Sequence, residues 1–269
     1  MKQSIDSRRM TLWAGKFWFE NRKAYFLFLL VLAGLLFVWQ GMFLAFRNPN
    51  LFSERVQFSQ YAVLLFFSGC LTANFLFGDL REKSKSITYL LNPASSLEKI
   101  LVVIFFGVPV FFLGFNLAFY AVDSAMVSMA NKQNVTNYKL FNVLHIKEYE
   151  NPFMDNANSA HLLYLYFAVQ SFFIFGAIYF KKFSLLKTSI SLFAVWVLFI
   201  VVQTLLSSVL PVGDFFAATA TYRVTDMEGY KIIYLPDWLR ISGALFFKFL
   251  IVPLFWLATY FRLREKQVI

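Results

Sequence analysis

Six stretches of the chain are apolar for about 20 residues or more, and polar residues gather between them. The runs are Ala24–Phe46, Ser59–Gly78, Ile100–Val122, Ser159–Phe180, Leu186–Val209 and Ile241–Phe261. Each is long enough to cross a hydrocarbon core as a helix, which takes about 20 residues. The apolar positions are continuous rather than alternating, so the pattern predicts helices and not the strands of an outer-membrane barrel. The expected fold class is all-α: a polytopic integral membrane protein with six transmembrane helices. The first run, AYFLFLLVLAGLLFVWQGMFLAF, is too long for a signal-peptide core and no small-residue cleavage site follows it. It is expected to remain as an anchor.

Two polar segments keep an apolar face of their own. In RRMTLWAGKFWFENRK, Met10, Trp13, Ala14 and Phe17 recur at helical spacing, while Arg9, Lys16, Glu20 and Lys23 line another side. Trp and Phe opposite a basic face predict an amphipathic helix lying in the headgroup plane. A simple continuation of the first span is the alternative. The second segment, DLREKSKSITYLLNPASSLEKI, runs from Asp79 to Ile100. Leu80, Ile87, Leu90 and Leu91 can share one face of a short helix. Asn92-Pro93 stops it, because the residue before proline is driven out of the α region. Ser95 and Glu98 then have the spacing of a capping box, each side chain bonding to the other's backbone amide. The expected loop is a surface helix, a rigid corner and a capped start of the third span. A basic flank and a helix cap explain the charge and Ser95. The retained apolar face favours docking by another protein, since loops between neighbouring helices can be as short as about 2–8 residues.

The chain thus divides as one transmembrane domain over residues 1–269: an interfacial helix at 1–23, a six-helix bundle at 24–261 and a tail at 262–269. Two connections, Asp123 to Asn158 and Leu210 to Arg240, are long and hold apolar phrases such as YKIIYLPDWLR. Small folded caps are expected there. No residue-level repeat is visible, which argues against an inverted-repeat carrier.

Composition agrees with lipid as the solvent. Apolar residues make up 59% of 269, Phe alone supplies 36, and charged residues only 15%. Soluble domains average about 45–50% apolar. The net charge of +10 raises nucleic acid as a partner, but its distribution gives a different reading. Sixteen Lys and Arg lie on one set of flanks: residues 2 to 23, then Arg81 to Lys99, Lys181 to Lys187, and Arg262 to Lys266. Eight lie on the opposite flanks, and Lys248 falls inside a run. Short basic loops mark the cytoplasm, so both termini are expected inside and nucleic acid is not an expected partner. The single Cys70 excludes an internal disulfide framework.

The loop between spans two and three, the amphipathic N-terminus and the six spans resemble permease subunits of ABC-2 type transporters. Three phrases are similar to the Bacteroidetes-type membrane proteins of that family: YLLNPASSLEKI, FGAIYFKKFSLLKT from Phe175 to Thr188, and the tail YFRLREKQVI. The resemblance covers most of the chain, more weakly in the outer loops. It implies export driven by a separate ABC ATP-binding subunit, a second permease copy (identical or similar) and a bacterial inner membrane. By that resemblance Tyr89, Leu90, Leu91, Asn92, Pro93, Ser95, Glu98 and Lys99 form the contact with the ATPase subunit. The chain itself is expected to bind no cofactor, with ATP held by the partner.

Motif content is consistent with a transport subunit that is not itself an enzyme. No G-x-x-x-x-G-K-[ST] phosphate loop occurs. The alternatives are a carrier or channel that does not use ATP, and an intramembrane enzyme. The six runs contain no Asp, Glu or Arg. His161 lies at the rim of the fourth run, and His145, Glu148 and Glu150 lie in an outer connection where a solvated loop is the expected reading. No metal site and no catalytic residue are expected. Lys248 is the one Lys or Arg placed away from the ends of a run. It either snorkels to the outer interface or faces a hydrated substrate path. Gly107, Pro109 and Gly114 mark span three as a place to bend, or as a fixed kink.

Overall fold

Lipid offers no partner to a bare peptide group, so a chain crossing it folds to satisfy its backbone internally. The computed structural model describes residues 6–45, 53–80, 83–133, 138–140, 160–209, 213–216, 221–226, 229–234 and 236–268. Six of its helical stretches are long and apolar enough to cross a membrane: Ser7–Met42, Glu54–Phe75, Ser96–Lys132, Leu162–Tyr179, Ser184–Leu205 and Ile241–Lys266. They overlie the six apolar runs. The chain is a multi-pass helical membrane protein.

In order, the first elements are α1 (Ser7–Ala45), α2 (Glu54–Phe75), a 3-10 turn at Gly78–Leu80 and α3 (Lys83–Leu91). Span three follows as α4 (Ser96–Phe105), a π segment at Phe106–Val110 and α5 (Phe111–Gln133). Then come α6 (Ala160–Tyr179) and α7 (Ser184–Val209). Span six is built from α8 (Asp237–Leu245), a π segment at Phe246–Leu250 and α9 (Ile251–Val268).

Between α7 and α8 the connection forms a three-stranded antiparallel meander, β1 (Gly213–Phe216), β2 (Thr221–Asp226) and β3 (Gly229–Tyr234). Gly213 pairs with Val224, and Asp226 pairs with Gly229 across the second hairpin. The folded cap expected there is therefore a small sheet appended to an all-α bundle. The expectation for 141–159, with His145, Glu148 and Glu150, lies outside the described residues.

Helix α6 packs against α2, α7 and α9, while α1 lies along α5 and touches α4. One cluster of buried apolar residues joins Trp13, Phe17, Phe77, Tyr89, Val103, Ile174 and Leu263. A second joins Leu36, Phe58, Tyr61, Leu65, Phe115 and Tyr166. Close approach of α2 and α6 requires Gly69, where a Cβ would stand 2.6 Å from the Tyr166 ring. Helix α7 turns Phe193, Trp196 and Leu198 outward, as a lipid-facing span does.

Two expectations are corrected. The amphipathic segment is helical, but it is not a separate helix: α1 runs unbroken for 39 residues, about 58 Å at 1.5 Å per residue. Trp13 and Phe17 are buried against Tyr89 and Phe106 rather than left for lipid. The surface helix after span two also differs. Leu80 belongs to the 3-10 turn and is buried, whereas Ile87 and Leu91 on α3 are exposed, so these residues do not share one face.

The hydrogen bonds sort the connections into two ends. Arg9 meets Glu98, Ser184 Oγ donates to Asn74 Oδ1, and Lys266 Nζ donates to the Ile178 carbonyl. All three belong to the flanks that carry most of the basic charge. At the other end Gln57 Nε2 donates to the Lys139 carbonyl and the Asn131 side chain brackets Tyr138. The asymmetric charge read from the sequence is thus gathered at one face of the bundle.

Candidate functional site: the corner between spans two and three

The corner is built from local backbone chemistry. Asn92 Oδ1 accepts from the Ala94 amide at 3.3 Å, closing a small turn around Pro93. Ser95, in extended conformation, caps α4: its Oγ accepts from the Glu98 amide at 3.2 Å. Glu98 Oε2 accepts from the Ser95 amide at 2.7 Å, completing the capping box. Two amides that a helix start leaves unpaired are satisfied, which anchors the entry into span three.

Glu98 does more than cap. Its other oxygen, Oε1, accepts from the Asp6 amide at 2.9 Å and from Arg9 Nη2 at 3.0 Å. The carboxylate is fully buried while Arg9 is 41% exposed in its side chain. Its negative charge also sits at the positive end of α4. One residue therefore clamps the first turn of α1 to the first turn of span three. Sequence reasoning missed this clamp, because the partners are 89 positions apart.

The remaining predicted residues divide by exposure. Tyr89 points inward and meets Trp13 edge to face, with ring centroids 5.4 Å apart. Lys99 is buried, its ammonium 5.5 Å from the Tyr89 ring centroid. Thus Tyr89, Ser95, Glu98 and Lys99 form the inner scaffold. Leu91 is 79% exposed and Ile87 59%, one helical turn apart. Pro93 is also exposed and Asn92 partly so. The side chain of Leu90 lies outside the described residues. A rigid inner face and an apolar outer face result.

A further exposed aromatic lies at the same end. Phe183, between α6 and α7, has φ of 52° and is 77% exposed. A non-glycine residue in the left-handed region is strained, and such strain persists where the surroundings impose it. The adjacent bond from Ser184 to Asn74 ties this turn to the end of α2.

Lys248 lies in the π segment of span six, part-buried, with Nζ 5.5 Å from the Tyr164 ring centroid. It does not approach the corner. The His161 side chain lies outside the described residues. Among the described residues no group of three or more His, Cys, Asp and Glu is placed to hold a metal.

Span three holds a second mechanical feature. Across the π segment containing Pro109, the Phe111 amide bonds back to the Phe106 carbonyl. The Gly107 carbonyl is thereby released and accepts from Gln170 Nε2 on α6 at 2.7 Å. π segments inside α-helices are frequent at functional sites. Where Gly107, Pro109 and Gly114 led to the expectation of a place to bend or a fixed kink, the helix holds a π segment at Phe106–Val110, braced by a neighbouring helix.

Beyond the corner, Asp123 is buried inside α5, whereas the sequence reading ended span three at Val122 and left Asp123 in a loop. The signal was present: Asp123, Met126, Val127 and Ala130 repeat at helical spacing, and all four are buried.

No family model matches the chain, nor does any curated protein or solved structure.

Proposed function

We propose that the chain is the permease subunit of an ATP-driven exporter of the ABC-2 type, working with a separate ABC ATP-binding subunit and a second permease copy in a bacterial inner membrane. The observation that carries this reading is the corner. An exposed apolar pair, Ile87 and Leu91, is mounted on a scaffold that connects directly to two spans. Docking at Ile87, Leu91 and Pro93 transmits force along two routes. One is the capped start of α4; the other is the Arg9–Glu98 clamp into α1. Because α4 is fixed at its start, displacement is relieved at the π segment, where Gln170 replaces a missing helical bond.

The chain contributes the membrane path and the coupling surface, and ATP is hydrolysed on the partner. Phe183 extends the docking surface at the same end, with Lys181 and Lys182 beside it. The test is co-purification of the tagged chain from its native host. The wild-type chain brings down an ATP-binding subunit, Leu91→Asp and Ile87→Asp lose it, and Arg8→Ala keeps it. Recovery of a folded chain that never carries an ATPase subunit rejects the proposal.

A further inference from the structure

We infer that Asp123 is a monovalent-cation site, its carboxyl taking up one proton or one sodium ion at the junction of α1, α2 and α5. This inference does not depend on the motor-coupling proposal; it requires only the three-helix junction.

Gln40 Nε2 on α1 donates to Asp123 Oδ1 on α5 at 2.9 Å and to Gln60 Oε1 on α2 at 3.2 Å. Both hydrogens of that amide are consumed. Three polar atoms of the same set have no hydrogen-bond partner: Asp123 Oδ2, Gln40 Oε1 and Gln60 Nε2. The side chains are almost completely enclosed, with Asp123 and Gln40 each 1% exposed and Gln60 6%. Leu36 and Phe119, one turn away on α1 and α5, are buried apolar neighbours, as is Val127 on the other side of Asp123.

A carboxylate in such a place, receiving one neutral hydrogen bond, is an uncompensated buried charge. No ion pair to Asp123 is formed among the described residues. A single positive charge at Oδ2 removes the conflict. The two open oxygens, carboxylate and amide carbonyl, are hard donors suited to a proton or sodium rather than a soft metal. One carboxylate does not balance a divalent ion. The charged and titratable groups on the elements around the site are Glu54, Arg55, Tyr61 and Cys70 on α2, Tyr120 and Lys132 on α5, and Tyr138 and Lys139 beyond it. Tyr61 is already bonded to Asn116, and between Tyr25 and Ala45 α1 holds no titratable residue. Residues 138–140 are tied across one end of the junction by Gln57 and Asn131.

Thermal unfolding of the purified full-length chain in detergent tests this, comparing wild type with Asp123→Asn. One series raises the pH in choline chloride. Another adds sodium chloride against choline at fixed alkaline pH. The wild type is expected to lose about 3 °C or more in Tm as the pH rises, a loss that Asp123→Asn does not share. Recovery by sodium at alkaline pH identifies sodium; no recovery identifies the proton. Superimposable responses of the two proteins in both series overturn the inference. Should Asp123→Asn not fold, labelling of the wild type by an apolar carbodiimide decides. A protonated Asp123 forms an adduct, located by peptide mass spectrometry, whose yield falls several-fold in alkali or with sodium. An absent adduct, or a yield indifferent to both, overturns the inference equally.

Discussion

Arg9 Nη2 stands 3.0 Å from Glu98 Oε1, joining the first turn of span one to the first turn of span three. The same carboxylate also accepts the Asp6 and Ser95 amides, so it carries three hydrogen bonds in a fully buried position. Glu98→Ala leaves those donors unsatisfied and is expected to destabilise the folded chain by about 3 kcal/mol, read as a drop in Tm in detergent. Arg9→Met is expected to cost only about 1 kcal/mol, because the guanidinium is substantially exposed. Equal, small effects from both would mean that the clamp does not hold the corner.

Ser95 isolates the cap from the clamp. Ser95→Ala removes one acceptor and is expected to cost about 1 kcal/mol, while Ser95→Asp retains it and costs little. Measuring both by thermal unfolding checks the assignment. An indifferent Ser95→Ala contradicts it.

Gln170 supplies the donor that the π segment demands. Gln170→Leu leaves the Gly107 carbonyl buried without its partner, an expected loss of about 1–3 kcal/mol. Gly107→Ala drives a Cβ into Leu76 and is expected to cost about 1–3 kcal/mol by overpacking. Wild-type melting curves for both variants would refute the bracing role.

Phe183 separates stability from docking. Its left-handed backbone suits glycine, so Phe183→Gly is expected to leave the chain as stable or more stable, by up to about 1 kcal/mol. The same variant is expected to retain less ATPase subunit on co-purification. Undiminished recovery of the partner would remove Phe183 from the docking surface.

Under the exporter proposal, Lys248 is expected to be dispensable for transport. Its ammonium lies near the Tyr164 ring, and Lys248→Met is expected to forfeit about 1 kcal/mol of cation–π interaction while export continues. Export abolished in a well-folded Lys248→Met chain would place Lys248 on the substrate path instead.

The elements legible in the sequence are those fixed by short-range chemistry. Continuous apolar runs specify six helices regardless of their neighbours, and Ser95 with Glu98 specifies a cap within four residues. Pro109 announced the irregularity of span three. By contrast, nothing between Phe17 and Ala24 stops a helix, so a basic aromatic face did not imply a break, and α1 continues. The face proposed for Leu80, Ile87, Leu90 and Leu91 failed because the 3-10 turn at Gly78–Leu80 changes the helical phase. The Arg9–Glu98 clamp and the Gln40–Gln60–Asp123 set join helices distant in sequence, which no local period reveals. Ending span three at the last strongly apolar residue hid Asp123, although the repeat through Met126, Val127 and Ala130 extends the helix.

The proposal that the corner is a cytoplasmic docking face is tested most directly by labelling a single cysteine at its tip. In a Cys70→Ala background, Leu91→Cys is exposed to a membrane-impermeant thiol reagent in intact cells and in inside-out vesicles. The expected result is no labelling in cells, labelling in vesicles stripped of the ATP-binding subunit, and protection when that subunit is bound. Labelling of Leu91→Cys from outside intact cells, or labelling in vesicles that the bound subunit leaves unchanged, contradicts the proposal.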